Sequence, residues 1–150
     1  MWISIHAEYV EPKIIPMEIP PNVTTHEMTS SIIWFDEDGI LYSVPKPGKP
    51  PELSMDEIMV EMDKFKKLIG NKKVCMVSHA NPNSRPPSKS ERDTIAELIN
   101  DVTKAMAIVT TSPVSRMIAN LFFGLKPPPY PAKMFSNEKE AVDWIRQYNK

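Results

Sequence analysis

From residue 54 onward, apolar residues recur with the periods of alternating helices and strands. Ser54-Met55-Asp56-Glu57 has the form of a capping box, in which the hydroxyl accepts from the third helical N–H and Glu57 reaches back to the free N–H of the cap. The helix it opens carries Met55, Ile58, Met59, Met62, Phe65 and Ile69 on one side, expected to face the core, and stops at Gly70, which is free to turn left-handed. Val74–Val77 is a short apolar run, as expected of a strand covered on both faces. A second box, Ser88-Lys89-Ser90-Glu91, opens a helix with Ile95, Leu98, Ile99 and Val102 inward. Ala105–Thr110 reads as the next buried strand. Ser112-Pro113 then pairs a hydroxyl cap with proline at the first helical position, ahead of the stripe Val114, Met117, Ile118, Leu121 and Leu125. The last strand is Ala132–Phe135, and Ser136 or Asn137 caps a final helix with Ala141, Trp144, Ile145 and Tyr148 inward.

Upstream, Ser31–Phe35 and Ile40–Val44 flank the turn Asp36-Glu37-Asp38-Gly39 and read as a β-hairpin. The acidic turn lacks the full run and the closing Glu of a calcium loop. Strands separated by whole helices cannot form hairpins, so they pair in parallel through crossovers. The expected architecture is an α/β sandwich: a mixed sheet with an N-terminal antiparallel hairpin, parallel strands and about four helices. Residues 1–30 read as a proline-rich arm and 31–150 as the domain. Within the arm, Ile3, Ile5, Ala7 and Tyr9 alternate as an extra edge strand would.

Composition changes this picture little. Sixteen of the 150 residues are proline, but they fall between the periodic segments or at a helix start, where a missing N–H and a fixed φ do no harm. A net charge of −1 removes the electrostatic case for nucleic acid. The single Cys75 excludes an internal disulfide and His6, His26 and His79 are isolated, so no metal and no cofactor is expected. There is no apolar run of membrane-spanning length and no signal-peptide pattern, so a cytoplasmic location is expected.

The block Ser112-Pro113-Val114-Ser115-Arg116, Asn120, Phe122-Phe123-Gly124-Leu125, Pro127-Pro128, Pro131, Phe135, Ala141 and Trp144-Ile145, together with Asp38-Gly39-Ile40, resembles an uncharacterised group of small bacterial STAS-like proteins. These are similar in fold to anti-sigma-factor antagonists and, more distantly, to the CRAL-TRIO fold. The resemblance covers about residues 31–149 and implies the element order already derived. It also implies a regulatory switch, a phosphorylated Ser or Thr in an Asp-x-Ser/Thr-Gly motif. This chain has Ser78–Pro87 at that place, with neither the Asp nor the Gly, which leaves Ser84, Ser88 and Ser90 as the acceptors available.

Ligands of open parallel sheets gather at the carboxyl ends of the strands, where helix N-termini also point. That edge carries Ser78, His79, Ser88, Ser90 and Arg92 after one strand, and Ser112, Ser115 and Arg116 after the next, a set able to surround an anion. The alternative is that the serines only cap and the arginines lie in solvent. Phe123 falls opposite the core stripe of its helix and Phe122 flanks it, which makes both interface candidates; Trp2 and Tyr9 of the apolar arm are two more. There is no nucleophile elbow and no glycine-rich phosphate loop, and His79 alone would serve as a general base. The expected function is therefore a non-enzymatic STAS-like protein-interaction or regulatory module that self-associates and meets a regulatory protein partner. The alternative is a domain binding a small ligand, anion or lipid.

Overall fold

The computed structural model describes residues 19–81, 89–110, 112–113, 116–117 and 127–150, with the side chains of Lys89, Glu91 and Arg92 outside that description. In chain order the elements are β1 (His26–Glu27), β2 (Ser31–Phe35), β3 (Leu41–Pro45), α1 (Met55–Leu68), β4 (Val74–His79), α2 (Lys89–Val102), β5 (Thr103–Val109), β6 (Ala132–Phe135), α3 (Glu138–Ile145) and a closing 3-10 turn, Arg146–Tyr148. The six strands lie side by side in sequence order. β1, β2 and β3 pair antiparallel, and β3 through β6 pair parallel. The fold is mixed α/β, with a hairpin leading into parallel strands. The arm read over residues 1–30 thus joins the sheet at β1, and Met28 beside it is buried.

Local chemistry accounts for the element ends. Asp36 Oδ1 accepts from the N–H groups of Asp38 (2.9 Å) and Ile40 (3.0 Å), and its carbonyl accepts from Gly39 (3.1 Å), whose φ of 80° suits glycine. Both halves of the Ser54–Glu57 capping box form. Gly70 follows α1 at φ 72°. Asn137 Oδ1 accepts from Glu140 N at 2.9 Å to start α3. The Arg116 N–H donates to the Ser112 carbonyl at 3.0 Å, the first helical bond expected after a Ser-Pro start.

Strand alternation divides the core between the two faces of the sheet. On one face Trp34, Tyr42, Val44, Cys75, Val77, Ala105, Ala107, Val109 and Phe135 meet Ala141 and Ile145 of α3. Ala105 and Ala107 are short enough to let α3 come close, and Ala141 and Ile145 are fully buried. On the other face Ile33, Leu41, Val74 and Met76 meet Ile69, which caps α1, and Val102 of α2. Neighbouring parallel crossovers of one hand, progressing one way along the sheet, put α1 and α2 on this same face.

The second face packs less closely than the stripe on α1 suggests. No residue of α1 is buried; Met55 and Met59 are 39% and 43% exposed, and only Ile69 past its end is enclosed. The expectation that the whole stripe is core holds only in part: Met62 and Phe65 are partly buried against the apolar residues of this face, and with Ile58 they also border a void between α1 and the sheet. Strand ends differ too: β4 runs on to His79 and β5 begins at Thr103, because parallel pairing of His79 with Val109 and of Val74 with Thr103 carries the ladder past the apolar runs.

Candidate functional site

The void beneath α1 is an open cavity of about 320 Å³ between the sheet and the two helices. Its floor is set by register. Leu41 lies beside Met76, and one step further along the same face Ser43 lies beside Ser78. Ile33, which pairs with Ser43, and Ser31 extend the floor into β2. The floor therefore changes from apolar to hydroxyl-bearing along the strands. Ile58, Glu61, Met62 and Phe65 of α1 and Ile99 and Val102 of α2 form the roof, with Met28 and Met106 at the sides.

Four of these lining residues are methionines, whose unbranched thioether chains repack at low cost. Among the described residues the hydroxyls of Ser43 and Ser78 have no hydrogen-bond partner. Glu61 is the one charged residue of the lining among the described residues. Its Oε1 accepts from the Thr29 N–H, which ties α1 to the turn between β1 and β2.

Of the described residues expected at the strand ends, Ser78 lines this cavity and His79, Ser90, Ser112 and Arg116 do not. Ser78 and His79 are consecutive, so alternation sends Ser78 toward the helices and His79 toward the face that α3 covers. His79 Nε2 is buried with no partner among the described residues, and burial holds its pKa below the ordinary histidine value. Ser90 is exposed in the first turn of α2, its carbonyl accepting from Thr94 Oγ1 at 3.2 Å. The Ser112 N–H donates to Thr110 Oγ1 at 3.2 Å. Arg116 is exposed. The Arg92 side chain, Ser84, Ser88, Ser115, Phe122, Phe123, Trp2 and Tyr9 lie outside the described residues.

Sequence reasoning passed over Glu61, Ser43 and Met28. A signal for Ser43 existed: it shares parity with Leu41 as Ser78 does with Met76, so a polar pair on an apolar face was readable once the two strands were placed side by side. Cys75 lies on the opposite face, fully buried, and desolvation pushes its thiol pKa up, which suits a packing role. Among the described residues no group of three His, Cys, Asp or Glu side chains is placed to hold a metal ion. No helix among them is long and apolar enough to cross a membrane. The cavity offers apolar area, hydroxyls and one carboxylate, which suffices to bind and orient a small molecule.

The family model described as a domain of unknown function, DUF7793, matches residues 33–149. Among solved structures, the crystal structure of a protein with unknown function from Arthrobacter sp. FB24 is similar at 20% identity, over 77% of this chain and 92% of that one, with a TM-score of 0.26. No curated protein matches.

Proposed function

The chain belongs to the DUF7793 family, a domain of unknown function, and from that premise we propose that it is a cytoplasmic, non-enzymatic binding domain that takes one small, mostly apolar molecule between its sheet and the helices α1 and α2. The observation that carries this reading is the cavity. At about 320 Å³ it falls at the lower end of the range of ligand pockets. At roughly 30 Å³ per water-sized group this admits a molecule of about ten non-hydrogen atoms. The methionines adapt to its shape, and the Ser43–Ser78 pair orients a polar end.

A second reading, a self-associating STAS-like regulatory module, draws on a different observation. Met55 and Met59 are exposed on α1 alongside Val60, which is 70% exposed, and Met117, in the helical residues that follow β5, is exposed as well. An apolar surface of that kind suits a protein partner.

One experiment separates the two. With methionine methyl groups labelled with ¹³C, 1-octanol is titrated into the full chain and the spectrum followed. The binding reading expects saturable shifts of Met28, Met62, Met76 and Met106, with Met55 and Met59 unmoved. Shifts of Met55 and Met59 on raising protein concentration, with no response of the cavity methyls to octanol, would overturn it in favour of the interaction module.

A further inference from the structure

Resting on the binding reading above, we infer that the cavity selects its occupant by headgroup, taking a small cationic amphiphile, of which a primary alkylamine is the simplest form, and disfavouring a carboxylate of the same length. Among the described residues the lining holds one acid and no base. Glu61 presents that acid from α1, with Oε1 anchored by the Thr29 N–H and Oε2 without a partner among the described residues. Two lysines, one of them on α1, are engaged by Glu27. Lys64 donates to the Glu27 carbonyl at 2.8 Å, and the Lys46 ammonium lies 3.7 Å from the Glu27 carboxylate.

The remaining polar groups of the floor are the serine hydroxyls, neutral and able to accept from an ammonium. A primary amine with a lysine-like pKa of about 10.4 is protonated at neutral pH. Such a group gains a charge-assisted hydrogen bond to Glu61, while its alkyl chain takes the apolar half of the floor. A carboxylate in the same place meets a like charge, with no cation among the described lining residues to offset it.

The test compares n-octylamine, 1-octanol and n-octanoate on the full chain at pH 7, read by the cavity methionine methyls. The expected result is octylamine tighter than octanoate by about tenfold, with octanol between them. In Glu61→Gln, whose side-chain oxygen can still accept from Thr29, that advantage is lost while octanol affinity stays within about twofold. Octanoate binding as tightly as octylamine, or a preference that survives Glu61→Gln, overturns the headgroup inference while octanol binding keeps the cavity reading. No response to any of the three overturns both.

Discussion

His79 shows how one position in a strand decides a side chain's chemistry. Its ring nitrogen Nε2 is enclosed on the face covered by α3 with no partner among the described residues, and burial alone holds its pKa down. A group whose folded pKa is depressed lends stability above its unfolded value, about 6.5, and withdraws it as pH falls toward the folded one. Stability is therefore expected to decline from pH 7 to pH 5. In His79→Leu this decline should be smaller, measured as urea midpoints across that window. Glu138, whose pKa burial raises, acts in the opposite sense, so the difference between the two proteins isolates the histidine. An unchanged slope would mean that His79 titrates as if in water. The strand carrying His79 was legible in the sequence; the burial of its ring was not, because it depends on what packs over the end of that strand from elsewhere in the chain.

At the scale of elements, α1 and α3 have equally clear start signals and different attachments. The Ser54 cap uses groups three residues apart, so it could be read without knowing what the helix packs on. Ser54→Ala removes the bond to Glu57 N and should cost about 1 kcal/mol, or about 2–4 °C in Tm for a chain of this size, measured by thermal melting. A change below 0.5 °C would show that the first turn frays already. The hydrophobic period of α1 was equally legible, but the distance between its stripe and the sheet was not. Apolar residues at helical spacing mark the side that faces inward; whether that side meets atoms or a void depends on the shape of the surface opposite. Here a floor of Ser43 and Ser78, beside longer Leu41 and Met76, leaves space under the helix.

Across the whole molecule, packing is uneven between the two faces. The α3 face contains Trp34 stacked on Tyr42 with ring centres 5.6 Å apart, and the tilted set Phe135, Trp144 and Tyr148. The C-terminus is also fastened to the first hairpin: Arg146 Nη1 lies 2.7 Å from Asp38 Oδ2, and Asn149 Nδ2 donates to the Asp38 carbonyl at 2.9 Å. In that hairpin the Tyr42 hydroxyl donates to Asp36 Oδ2 at 2.9 Å. On the opposite face α1 buries no residue within its length. Local opening follows the density of buried contacts, so amide exchange by mass spectrometry should be much faster in α1 than in β3–β5. Saturating octanol should slow the α1 amides selectively, since an occupant under the helix supplies the contacts it lacks. Equal protection of α1 and the central strands would contradict this account of the cavity.

By itself the sequence determined where α1 and α3 start, where β2 to β6 lie to within a few residues, and how those strands run. Caps, Asp-Gly turns, prolines and apolar periods act over a few residues, and helix-length separations exclude hairpins, so chain connectivity and local sterics suffice. Tertiary structure alone decided which strand residues stand together, Ser43 beside Ser78, which face His79 occupies, and that Glu61 borders the cavity. Each of these depends on register between segments far apart in the chain, where moving a strand by one residue would exchange its two faces and with them the lining of the cavity.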